Sequence, residues 1–155
     1  MTTDQFPRLN LPPVQLTIRS GEQRDAVLCL SRRRYVALTP EEWVRQHFLA
    51  YMAGTLGFPA SLLAVETPVV IGTSRQRADI VAFSRSMEPL VIVECKAPDV
   101  PLSQKTLNQA CRYLSVLGAR AVVLTNGMAH YCVLMSAHGT PQFSNAMPTW
   151  EAINN

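Results

Sequence analysis

The sequence predicts a mixed β-sheet with helices packed on its faces, an α/β or α+β domain. Three observations carry this. Apolar, β-branched runs bounded by turn signals recur as "ADIVAF", "LVIVECK", "RAVVLT" and "HYCVLM". Two segments with helical start signals, at Thr39 and Ser103, punctuate the strands. The step from "VIVEC" through the Ser103 helix to "AVVLT" fits a parallel crossover.

The elements follow in order. Pro7, Pro12 and Pro13 make residues 1–13 an extended lead-in. "VQLTI" and "AVLCL" flank "RSGEQRD", which predicts a hairpin over residues 14–30. Thr39 is the N-cap of a first helix, with Pro40 its first residue and Glu42 closing a capping box. Trp43, Phe48, Tyr51 and Leu56 supply its apolar stripe, and it ends between Gly54 and Gly57. "LLAVETPVVIG" contains a strand and "TSRQR" a connection. "ADIVAF" and "LVIVECK" are then two strands turning at "SRSMEP". Ser103 caps a second helix over "QKTLNQACRYLSVL", ended by Gly118, with Leu107, Ala110, Leu114 and Leu117 on its apolar side. "NGMA" turns the last two strands, and the tail after Gly139 carries no clear signal.

With 155 residues, 48% hydrophobic and 16% charged, the chain suits one globular domain over 1–155. No apolar run approaches the roughly 18–20 residues of a membrane span. "MTTDQFPRLN" lacks the basic start and apolar stretch of a signal peptide, so a cytoplasmic protein is expected. Cys29, Cys95, Cys111 and Cys132 form no C-x-x-C pair and read as reduced core residues rather than zinc ligands. A net charge of +3 does not by itself argue for nucleic acid. Positive charge gathers at Arg32, Arg33 and Arg34 and again at Arg75 and Arg77, where solvated loop arginines are the plain reading.

The strand "VIVECKAP" ends in charge. Alternation puts Glu94 and Lys96 on one face and Cys95 on the other. A turn centred between Ser84 and Pro89 places Asp79 directly opposite Glu94. Opposed residues have Cβ atoms roughly 4.5–5.5 Å apart. Two carboxylates that close must bind a proton or find a cation. Asp79 and Glu94, with the Cys95 carbonyl, would offer a hard ion such as Mg²⁺ its oxygen ligands, and Lys96 would hold water and steady phosphate charge. A structural ion network of Glu94 and Lys96 with Arg77 and Asp79 is the alternative on spacing alone.

Asp79 followed by Glu94-x-Lys96 resembles the P-D…(D/E)-x-K nuclease signature, with Ala78 in place of the proline. "TPEEWVRQ", "RADIVAF", "LVIVECKAP" and "LNQACRYLSVLGARAVVLTNG" are similar to the N-terminal nuclease domain of the type I restriction enzyme R subunit and its free-standing relatives. The resemblance covers residues 35–135 as a nuclease-like core and leaves 1–34 as an N-terminal extension. It implies a restriction-endonuclease-like fold, a mixed central sheet flanked by helices. It also implies metal ligation by Asp79 and Glu94 and a catalytic role for Lys96. Glu42 matches a supporting acid on the first helix, although Glu66 competes for that place. Gln109 and Tyr113 match a Gln-x-x-x-Tyr pair, which spacing puts on one helix face.

No G-x-x-x-x-G-K-[ST] phosphate loop is present, so a nuclease module without its own motor is expected. The expectation is thus a Mg²⁺-dependent (or Mn²⁺-dependent) nuclease acting on DNA, with Arg75 and Arg77 on backbone phosphates. Separate motor or specificity proteins, and a second copy of the chain, are its expected partners. The alternative is a DNA-binding or interaction module that keeps the fold without turnover.

Overall fold

The computed structural model describes residues 5–154, so the first four residues of the expected lead-in lie outside it. Two sheets form. The small one is antiparallel, in the order β1 (Ile18–Arg19), β2 (Ala26–Leu28) and β3 (Tyr35–Ala37). The expected hairpin is present as β1 and β2, shorter than predicted, and β3 extends it to three strands.

The large sheet runs in sequence order through β4 (Leu63–Ile71), β5 (Ser74–Phe83), β6 (Pro89–Cys95), β7 (Ala121–Thr125), β8 (His130–Met135) and β9 (Pro141–Ser144). Only β6 and β7 are parallel, and α2 (Gln104–Leu117) makes the crossover between them. The other pairs are antiparallel. "SRQR" is not a loop: it is the first part of β5, with Arg75 opposite Val70 and Arg77 opposite Pro68. β9 and the short helix α3 (Trp150–Ile153) fill the tail, a stretch without a periodic signal.

α1 (Pro40–Gly54) and α2 cover opposite faces of the sheet. Val44, Phe48 and Met52 pack with Ile80, Val91 and Val93 on one side. Leu107, Tyr113 and Leu114 pack with Val81, Ile92 and Leu124 on the other. Burying each such side chain contributes roughly 1.5–3 kcal/mol. Because β6 is dry on both faces, its run of Val91, Ile92 and Val93 is continuous rather than alternating.

α1 is buried almost all round, which explains its weak apolar stripe. Glu42, Arg45, Gln46 and His47 are buried along with Trp43 and Phe48. The lead-in lies over its far side: Phe6 stacks on Trp43, whose indole donates to Pro7 O at 3.0 Å. Thr39 caps the helix by accepting from Glu42 N at 3.0 Å. The reciprocal half of the capping box is absent, because the Glu42 carboxylate is used elsewhere. α2 has a complete box between Ser103 and Thr106. It stops at Gly118, whose φ of 70° is the left-handed conformation that glycine enters without a Cβ clash. At Gly127 (φ 85°) a Cβ would lie 2.7 Å from Leu9, so glycine lets the lead-in cross the turn between β7 and β8.

Candidate active site

The site lies where β6 ends beside β5. Ile80 pairs with Val93, Val81 with Ile92 and Ala82 with Val91; continuing that register sets Asp79 opposite Glu94. An irregularity between Ala82 and Phe83 absorbs the asymmetry of the turn, so the centre of the hairpin keeps the predicted pairing. Asp79 is buried and held at both oxygens. Its Oδ2 accepts from Cys95 N at 2.8 Å, and its Oδ1 accepts from Arg45 Nη2 at 2.8 Å.

Glu94 opens instead into a cavity of about 310 Å³ that it lines with Lys96, Gln76, Gln109, Arg112 and Tyr113. Its buried Oε1 has no hydrogen-bond partner among the described residues. Burial, and then the neighbouring Asp79, push the Glu94 carboxyl up to about 8. Burial, and then the adjacent Glu94, also push the Tyr113 phenol up. The Tyr113 hydroxyl donates to Gln76 Oε1 at 3.3 Å, which links α2 to β5 across the cavity.

These residues fit a hard divalent ion. An unpartnered buried carboxylate oxygen stands beside a second carboxylate, and such an ion takes one or two carboxylates with phosphate and water. Cys95 has only its carbonyl to offer, because its thiol is fully buried and burial drives it well up, away from thiolate. Among the described residues, no group of three or more His, Cys, Asp or Glu is placed to hold a metal.

Glu42 is not at this cavity. Its Oε1 accepts from Arg45 Nη1 at 2.7 Å and Arg32 Nη2 at 2.8 Å, and its Oε2 from Gln46 Nε2 at 2.9 Å. Glu66, by register opposite Asp79 and with a strained φ of 48°, turns its carboxylate to Arg32 at 3.2 Å. Both acids therefore serve a buried arginine network. Arg75 and Arg77 are exposed on β5 on either side of Gln76 and do not line the cavity.

Residues 40–148 match the family of the type I restriction enzyme R protein N terminus. The chain belongs to this family. No curated protein matches the chain. Among solved structures it is similar to a fragment described as an HsdR subunit of a type I restriction enzyme from Vibrio vulnificus YJ016. That likeness has 21% identity and a TM-score of 0.51 over 75% of this chain and 24% of that one, and it speaks for the fold. The chain thus spans about a quarter of that fragment's length. The R-protein match takes in α1, α2, the whole six-stranded sheet and every residue of the cavity, whereas β1–β3 precede it.

Within this R-protein N-terminal fold, several residues of the site escape a sequence reading. Arg45 and Glu41 lie next to Glu42, and only the helix rotation tells which of them turns to Asp79. Glu41 is half-exposed on the first turn of α1. Burial, and then the charge of Asp79, raise its carboxyl against the pull of Arg45 and Lys96. Arg112 and Gln76 line the cavity, one from α2 and one from β5. The signal for Arg45 was that α1 holds no other Lys or Arg; Gln76 and Arg112 carried none.

Proposed function

We propose that the chain is a divalent-metal-dependent DNA nuclease module. The observation that supports it best is the buried, unpartnered Glu94 Oε1 beside Asp79, in a cavity that Lys96 also lines. Membership of the R-protein N-terminal family supports the same reading. Asp79, Glu94 and the Cys95 carbonyl would hold Mg²⁺ or Mn²⁺. Bound there, the ion would neutralise charge building on a phosphodiester. Lys96 holds water in line with the phosphate and stabilises its oxygens. Glu41, on the first turn of α1, would add its charge to the site from outside the cavity. Gln109, Gln76 and Tyr113 shape the cavity, and Arg112 meets the phosphate chain with Arg75 and Arg77 on its flank.

DNA is the proposed partner, with separate motor or specificity proteins and a second copy of the chain as further ones. Among the described residues no helix is long and apolar enough to cross a membrane, and the cytoplasmic assignment is part of this proposal. A second reading has its own observation. Asp79 already has Arg45 as a cationic partner and, among the described residues, no third ligand side chain converges, as suits a module that binds DNA without cutting it. Plasmid cleavage in Mg²⁺ against EDTA separates the two. The wild type is expected to cut only with Mg²⁺, and Lys96→Ala to lose about 100-fold or more. Equal nicking in every arm would remove the catalytic claim, and salt-sensitive duplex binding without cleavage would favour the second reading.

A further inference from the structure

We propose that Arg45 is a positioning residue of this site: its guanidinium fixes the plane of the Asp79 carboxylate from α1 and is itself aimed by Glu42. The inference rests on the nuclease reading for its consequence and on the contacts of Arg45 for its content.

Arg45 is 6% exposed, yet it carries two charge-assisted bonds to two acids from separate nitrogens, 2.7 Å to Glu42 and 2.8 Å to Asp79. The fork has no freedom of its own. Glu42 is anchored by Gln46 from one turn along α1 and by Arg32 from the loop after β2. Gln46 is anchored in turn, accepting from Leu30 N at 3.0 Å. The chain of contacts therefore runs from the small sheet, through α1, to β5.

At its end, Asp79 is held at Oδ1 by Arg45 and at Oδ2 by the Cys95 amide. A carboxylate gripped at both oxygens by groups from two elements cannot rotate about its terminal bond. Its remaining lone pairs thus point in fixed directions. A lysine would not replace this, because its ammonium is one point charge on a flexible stem and cannot span the two acids from two nitrogens held apart in a rigid plane. Groups that orient a ligand in this way typically change metal affinity by about 10–100-fold when altered.

The Cys95 amide reports the outcome without any metal or DNA. In the apo protein, Arg45→Lys is expected to move the Cys95 amide resonance and to speed its hydrogen exchange, while amides of β7 and β8 keep theirs. Calorimetry of the same variant should show Mn²⁺ affinity down about ten-fold. Cleavage should fall in kcat with the KM for duplex unchanged. A folded Arg45→Lys with an unmoved Cys95 amide overturns the proposal, whether or not the chain cuts DNA. Should Arg45→Lys fail to fold, Glu42→Gln takes its place, because it loosens one anchor of the fork and leaves the guanidinium present. A shifted Cys95 amide there supports the proposal, and an unmoved one overturns it. Absence of Mn²⁺ binding and cleavage in the wild type would count against the nuclease reading alone.

Discussion

Asp79 and Glu94 face each other across β5 and β6, but their surroundings differ: Asp79 is bonded at both oxygens, whereas Glu94 keeps Oε1 buried and unpartnered. Arg45 reaches only the first of them. The asymmetry gives one fixed and one open carboxylate, and it makes Glu94 the group whose protonation the fold controls.

Glu94 should therefore imprint its titration on stability. An ordinary glutamate ionises near 4.5, whereas burial and Asp79 hold the Glu94 proton to about 8. Between these values the native state binds more protons than the unfolded chain, so stability falls as pH rises, with the penalty absent below and complete above. Melting temperatures measured across this window are expected to decline in the wild type and to decline less in Glu94→Gln, which stays neutral. Parallel profiles would assign the pH dependence to other groups.

The adjacent acids of α1 should separate cleanly. Glu42→Ala takes the shared acceptor from the buried Arg45 and the partly buried Arg32, and urea denaturation is expected to show a loss of about 3–5 kcal/mol. Thr39→Ala removes only the cap, at a cost of about 1 kcal/mol. Glu41→Gln, at a half-exposed position, should leave the midpoint unchanged and lower Mg²⁺-dependent cleavage about ten-fold. A Glu41→Gln enzyme with full activity would remove it from the site.

Duplex binding should be electrostatic in origin. Arg112→Ala is expected to weaken binding of unrelated sequences alike and to reduce the slope of log K against log salt by about one. The double variant Arg75→Ala/Arg77→Ala should reduce it by about two, if the exposed arm of β5 runs along the phosphates. Anisotropy titrations at several salt concentrations measure both, and an unchanged slope in the double variant would place the duplex away from that arm.

Much of the frame was legible in the sequence because it depends on local signals. Ser103, the apolar spacing of Leu107, Ala110 and Leu114, and Gly118 define α2 with its observed bounds. Thr39 and Pro40 define the start of α1. A symmetric turn after Ser84 predicts Asp79 opposite Glu94, and the pairs Val81 with Ile92 and Ile80 with Val93 keep that register because the irregularity between Ala82 and Phe83 offsets the observed pair of Phe83 with Pro89. The tail was less legible, because β9 is a four-residue edge strand that is mostly exposed and has no apolar period to announce it.

The sequence by itself thus determined the order of strands and helices, the crossover between β6 and β7, and the pairing of two carboxylates beside a lysine. Tertiary structure alone decided how those carboxylates are used. Capping chemistry at Thr39 accounts for Glu42 locally, but burial of α1 on two sides drew its carboxylate into a network with Arg32 and Arg45. A charge taken out of water must find partners, and the partners lie on elements distant along the chain. Helix rotation and sheet packing, which no local pattern encodes, therefore put Arg45 on Asp79 and left Glu94 open.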